Sequence, residues 1–306
     1  EMLVFSAADF EDFLEPRPDL APTLESELEE VVMALASNNW PFRLHATYDE
    51  SISRFLDVFE RVHREAPIDK LHWFLDHCET ISDRNLDRVA GMGGGIAIQH
   101  RMAFQGEYFV DRYGAKAAER TPPVRKMLEK GIPVGAGTDA TRVANYNPFN
   151  SLWWLVSGRT LGGLQLYPEA NRMSREEALR LYTVGSSWFS REDGAKGAIA
   201  PGQLADLVVT SEDYLEIPED RIRDLQSVLT IVGGKPVYAA GDFREHDPAP
   251  IPVLPDWSPV KTFGGYGAPL WDGRTGKALA RGPAGHPASN TGLSQLWGSG
   301  CDCFAF

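Results

Sequence analysis

The sequence predicts an α/β fold: half of a (β/α)8 barrel followed by a small β-module. Three observations predict it. Short apolar runs alternate with stretches of amphipathic helical spacing. Four of those runs end in polar residues at a loop, at His45, His77, Gln99-His100 and Asp139, which is where barrel strands present their working residues. From Gly197 the texture changes to short β runs separated by Gly turns.

The elements follow in order. Residues 3–22 read as an irregular connection punctuated by Pro16, Pro18 and Pro22. Thr23 is placed as the cap of a helix over Leu24–Ser37, with Leu24, Leu28, Val31, Val32 and Leu35 on one face. Phe42–His45 reads as a strand, and Ile52–His63 as a second helix. Leu71–His77 is the next strand, Ser82 or Asp83 starts a short helix through Val89, and Ile96–His100 is a third strand. A helix over Pro122–Lys130 has prolines at its start and Gly131 past its end. The central stretch is Ile132–Val134 running into Gly135-Ala136-Gly137-Thr138-Asp139, followed by a loop containing Arg142 and Asn145. Period-2 alternation puts Gly135, Gly137 and Asp139 on one side, leaving room there for a ligand or metal. A plain Gly turn with Asp139 as a helix N-cap fits the same residues.

Residues 145–195 read as loop and helix, with Ser174 and Glu177 forming a capping box at the start of a helix to Tyr182. Ile199, Leu204–Val209, Val228–Val232 and Pro236–Ala239 are the strands of the β-module. The expected divisions are 1–196 (partial barrel), 197–250 (β-module) and 251–306, an extended arm packed on the body because it is too aromatic (Trp257, Phe263, Tyr266, Trp271, Trp297) for a free tail.

Composition bounds the function. The 306 residues carry a net charge of −13, which argues against a nucleic-acid surface, and no basic cluster stands out. No apolar run is long enough to span a membrane. Three cysteines (Cys78, Cys301, Cys303) make no disulfide framework and point to a reducing compartment, the cytoplasm. Glu1-Met2-Leu3 reads as an entry into the middle of a longer polypeptide.

The rim residues suggest the chemistry. The interval from His45 to His77 fits one (β/α) unit of roughly 30 residues, and that from His77 to Asp139 fits two. Two imidazoles and a carboxylate converging at a barrel mouth suit Zn²⁺ or a similar divalent ion, which activates water and polarises a carbonyl. Asp139 would then move the proton from water to a leaving amine. A strand-end His is as readily a solvated or hydrogen-bonded residue. His100 is a candidate substrate contact or an exposed loop His, and Arg142 is a second candidate contact. Arg43 shares parity with His45 and points into the barrel lower down. His72, on the opposite parity from His77, reads as structural, and His63 as a surface helix residue. Cys301-x-Cys303 makes at most a weak metal site. Trp153-Trp154 reads as packing.

Several segments resemble the amidohydrolase superfamily. Gly197-Ala-Ile-Ala-Pro-Gly-Gln-Leu-Ala-Asp-Leu-Val-Val209 is similar to the signature of its small β-domain, and Thr230-Ile-Val-Gly-Gly-Lys-Pro-Val-Tyr238 to the following hairpin. Arg43-Leu-His-Ala-Thr-Tyr-Asp49, Asp76-His-Cys-Glu-Thr80 and Gly135-Ala-Gly-Thr-Asp-Ala140 resemble strands five, six and eight of its barrel, with the YtcJ-like branch, which includes N-substituted formamide deformylases, the most similar. Asp256-Trp-Ser-Pro-Val260 extends the likeness toward the end of the chain. The resemblance implies the C-terminal half of a TIM-like metal-dependent hydrolase barrel plus a β-sandwich module combining segments from both ends of the chain. It implies His45 and His77 as the strand-five and strand-six metal ligands, and Asp139 as ligand and proton shuttle. It implies hydrolysis of a non-peptide C–N bond with a divalent metal, zinc by preference, one ion or two.

The family's strand-one His-x-His is absent from the sequence, and its strand-four Lys or Glu has no placed counterpart. The expected partners are therefore a small amide-like substrate and the missing N-terminal barrel half, in the same polypeptide or another, with a homo-oligomer left open. Alone, the half barrel would expose strand edges and aggregate. The competing expectation is a non-catalytic or regulatory chain whose metal site is never completed.

Overall fold

Four short strands form the parallel sheet in the computed structural model, which describes residues 22–140 and 144–249 and the short strands 271–272 and 277–278. They are β1 (Arg43–Ala46), β2 (Phe74–His77), β3 (Gly95–Gln99) and β4 (Val134–Gly137), ordered β1-β2-β3-β4. Each neighbouring pair is parallel, so each connection is a crossover through helices. The helix α1 (Leu24–Ser37) precedes the sheet, α2 (Asp49–Glu65) and α3 (Asp83–Gly91) make the first two crossovers, and α4 (Met102–Tyr113), α5 (Ala115–Ala118) and α6 (Val124–Glu129) make the third.

Register separates two faces. Leu44, Leu75, Ile96 and Val134 align across the four strands and are buried in one core with Val32, Leu56, Phe59, Val62, Leu86 and Val89 of the helices. Each such side chain contributes about 1.5–3 kcal/mol on full burial. Trp73 anchors this core. It stacks on Phe42 at 6.2 Å, meets Phe59 edge-on at 5.1 Å, and its indole N–H donates to the Met92 carbonyl at 3.0 Å. The alternate row, His45, Asp76, Ala97 and Gly135, shares the other face.

Beyond β4, α7 (Pro148–Ser157) buries Trp153 and Trp154. The helix α8 (Arg175–Arg180) starts with the anticipated Ser174/Glu177 capping box. It runs through a π-turn at Leu181–Gly185 into α9 (Ser186–Phe189) instead of ending at Tyr182. That turn brings two hydroxyls onto the terminal strand: Ser186 Oγ donates to the Ala136 carbonyl at 3.1 Å and Tyr182 OH to that of Gly137 at 3.0 Å. The antiparallel sheet β5 (Leu207–Thr210), β6 (Ser227–Val232) and β7 (Lys235–Ala239) follows in the same order. Of the residues beyond 249, those described form the antiparallel pair β8 (Trp271–Asp272) and β9 (Lys277–Ala278).

The structure corrects several local expectations. Thr23 makes no side-chain cap; its carbonyl instead accepts from Ser26 Oγ. Ile199 is in no strand and is 93% exposed. The first residues of Leu71–His77 lie outside β2, because His72 has a positive φ of 55°. Nothing in the pattern reading marked α4, although Met102, Ala103, Gly106 and Phe109 are buried at helical spacing; Gly106 lets this helix approach Thr160 and Leu166 where a Cβ would collide. Arg142, Cys301, Cys303 and the segment around Trp257 lie outside the described residues. Among the described residues no helix is long and apolar enough to cross a membrane.

Candidate active site

His45 comes from β1 and faces the same side as Asp76 through their register. His77 pairs with Ala46 and by simple alternation would face the helices. A positive φ of 78° at His77 and 55° at Cys78 breaks the pleat, and the ring lies 4.3 Å from that of His45, centroid to centroid. Asp139 follows β4 with a φ of 51°, and its Oδ2 is 3.8 Å from His77 Nε2. The structure therefore brings His45, His77 and Asp139 together at the C-terminal ends of β1, β2 and β4. The parity behind that expectation was wrong for Asp139: the strand ends at Gly137. Gly135 leaves no room either, since a Cβ there would meet the Phe189 ring at 2.6 Å, whereas Gly137 is open.

The loops behind the imidazoles are fastened by Asp49, whose Oδ1 accepts from Ser82 N–H and Asn85 Nδ2 at 2.7 Å each. Its own N–H donates to Thr80 Oγ1 at 3.0 Å, and Cys78 N–H donates to the Ala46 carbonyl at 2.8 Å. One carboxylate at the start of α2 thus holds the His45 and His77 loops in fixed relation.

Two residues without a sequence-assigned role complete the setting. Glu79 is 1% exposed and its Oε1 lies 3.5 Å from His77 Nδ1. Arg101 is equally buried and its charge reaches His45, His77, Glu79 and Asp139. Lower on the sheet, Arg43 Nε is 3.6 Å from Asp76 Oδ2. The available signals were the His-x-Glu spacing at 77–79 and an arginine directly after His100.

Charge follows burial and neighbours. Burial, reinforced by the positive charges of His77 and Arg101, holds His45 well below the usual imidazole range, so it is neutral and able to ligate. Burial also opposes charge on His77, but the Glu79 carboxylate outweighs it and raises the ring. Burial would push Glu79 up, but His77 and Arg101 hold it down and ionised. Asp139 is raised by burial against the pull of His77; with 35% of its side chain exposed, water moderates this. Asp76 is likewise raised by burial, with Arg43 opposing.

His100 is a fully buried ring packed edge-on against Phe104 at 5.3 Å, not an exposed loop residue. Burial pulls its pKa down to about 4. His63 accepts from Ile68 N–H at 3.1 Å beyond the end of α2. His72 is structural: it stacks on Trp188 at 4.6 Å and its Nδ1 meets the Trp188 carbonyl at 3.2 Å. A cavity of about 340 Å³ lined by Asp69, Lys70, His72, Lys130 and Trp188 lies before β2, β3 and β4, at the opposite end of the strands from the imidazoles.

The donor set suits a divalent ion: two imidazoles and a carboxylate, with an adjoining buried carboxylate, Glu79, whose oxygens have no formed hydrogen bond. Among the described residues no group of three or more His, Cys, Asp or Glu side chains is placed so that it could by itself hold a metal ion; His45, His77 and Asp139 furnish part of a ligand set.

A parallel α/β sheet with His and Asp gathered at its C-terminal strand ends is the site architecture of α/β enzymes that bind ligands at that rim. The chain belongs to the amidohydrolase family, whose model matches residues 1–238. It is 27% identical over 212 residues to N-substituted formamide deformylase of Arthrobacter pascens, covering 69% of this chain and 39% of that protein. It is 26% identical over 199 residues to the putative amidohydrolase YtcJ of Bacillus subtilis strain 168, covering 64% and 37%. The chain thus spans about two fifths of the length of these curated relatives. Its fold is similar to that of an uncharacterized metal-dependent hydrolase from Pyrococcus horikoshii OT3, with a TM-score of 0.56 at 22% identity, over 72% of this chain and 43% of that one.

Proposed function

We propose that this chain supplies one side of the active site of a metal-dependent amidohydrolase that cleaves a non-peptide, amide-type C–N bond in a small molecule. The observation that carries the reading is the convergence of His45, His77 and Asp139 from three different strands. The similarity to a formamide deformylase favours an amide substrate. The remaining strands and ligands of a (β/α)8 barrel come from residues outside this chain, in keeping with its share of its relatives' length.

His45 and His77 would hold the ion, zinc by preference, with Asp139. When bound, such an ion makes water acidic and polarises a carbonyl. Asp139 takes a proton from the attacking water and hands it to the departing amine; a carboxyl raised by burial is suited to both halves of that task. Buried Arg101 adds positive charge beside these groups. Arg142 and His100 are assigned to substrate contact. The cysteine usage supports a cytoplasmic location.

The test is turnover of N-substituted formamides and other small amides by the zinc-supplemented complete enzyme, this chain together with the rest of its barrel. Asp139→Asn should lower kcat by about 10²–10⁴-fold, the usual worth of a general acid–base group. Full turnover by that variant would reject the assignment. That no group of three such side chains among the described residues could hold a metal ion favours a second reading, a non-catalytic chain; it predicts no turnover of any amide even with the barrel complete, with or without zinc.

A further inference from the structure

Glu79 has no part in the chemistry above, yet it is one of the most deeply buried carboxylates described, 1% exposed. Neither of its oxygens has a formed hydrogen bond. A carboxylate taken out of water without a hydrogen bond is costly, and the imidazole of His77 stands beside it, Nδ1 to Oε1 at 3.5 Å. The other ring nitrogen, Nε2, points to Asp139 Oδ2 at 3.8 Å. The two nitrogens of one ring are thus divided between a closed carboxylate and the open site.

We propose that Glu79 is a positioning residue for metal binding: it takes the Nδ1–H of His77, so that Nε2 carries the lone pair and faces the ion. The inference rests on His77 being a ligand. Histidine ligands commonly donate their second N–H to a carboxylate, which fixes tautomer and ring orientation and strengthens the ligand. Local geometry supports this role here. His77 and Cys78 adopt left-handed φ values of 78° and 55°, and the turn they make folds Glu79 back beside the ring two residues before it. The Cys78 N–H to Ala46 carbonyl bond, at 2.8 Å, holds that turn against β1. The 3.5 Å separation is longer than a formed hydrogen bond; with Nε2 committed to an ion, the Nδ1 proton strengthens as a donor and the contact closes.

The experiment measures Zn²⁺ affinity by competition with a chromophoric chelator for the purified protein and for Glu79→Gln and His77→Ala. Glu79→Gln keeps the shape and removes the charge, and should weaken Zn²⁺ by about 10–100-fold with its thermal melt unchanged. If affinity stays within twofold while His77→Ala abolishes binding, the positioning role is wrong and the metal site stands. If neither substitution changes affinity, the metal assignment fails as well. A measurement on the unmutated protein guards against misfolding of the variant. Histidine ¹⁵N spectra with zinc bound should show His77 protonated at Nδ1 and unprotonated at Nε2; the reverse tautomer overturns the proposal.

Discussion

His100 converts burial into a pH dependence that can be measured. Its ring is fully enclosed, edge-on to Phe104, and burial holds its pKa at about 4 instead of the ordinary 6.5. Above pH 6.5 the imidazole is neutral in folded and unfolded chains alike, and this contribution is constant. Between 6.5 and about 4 the unfolded chain takes up a proton that the folded chain refuses, so stability falls as pH drops; below 4 the loss levels off. At 1.36 kcal/mol per pH unit the window amounts to about 3 kcal/mol. Other buried imidazoles titrate too, so the quantity to measure is a difference. Urea unfolding of the unmutated chain and of His100→Leu, at pH 7 and pH 4, yields it. The variant should gain about 3 kcal/mol relative to the unmutated chain on going from pH 7 to pH 4. Equal pH slopes for the two proteins would refute the account of a ring kept neutral by burial.

Asp49→Ala removes the acceptor that holds Ser82 and Asn85 and strands a buried amide, so chemical denaturation should show a loss of about 1–3 kcal/mol. Zinc affinity should fall with it, because the same carboxylate ties the His45 and His77 loops together. Gly135→Ala drives a methyl into Phe189 and Ser186. It should cost about 1–3 kcal/mol by overpacking and leave zinc affinity unchanged; a metal defect in a stable variant would restore the idea that Gly135 makes room for the ion. Trp73→Ala empties a fully buried site and breaks the bond to Met92, for a loss of about 3–5 kcal/mol seen in a melting curve.

Alternating apolar runs and amphipathic helices made the order of parallel strands and crossovers legible, because each strand's core row (Leu44, Leu75, Ile96, Val134) is apolar and each helix face repeats. The polar strand ends were legible for the same reason: His45, His77 and Asp139 interrupt apolar runs. The orientation of the last two was not. Alternation assumes extended backbone, and His77, Cys78 and Asp139 all have positive φ, which sequence spacing does not encode. The room attributed to Gly135 was misread because the helix that fills it, α9, lies 50 residues downstream of β4's Ala136, as the Ser186 bond shows. Glu79 and Arg101 stayed hidden because a charged residue after a strand reads as solvated loop; only tertiary burial reveals them. The π-turn at Leu181–Gly185 likewise answers to packing against β4, not to any local signal.

The most direct test of the shared metal site is anomalous diffraction at the zinc edge from crystals of the zinc-loaded protein. The account predicts a peak bounded by His45, His77 Nε2 and Asp139, at about 2.0–2.2 Å from the ligating atoms. Loaded crystals with no peak there, or with zinc bound only elsewhere, would contradict it.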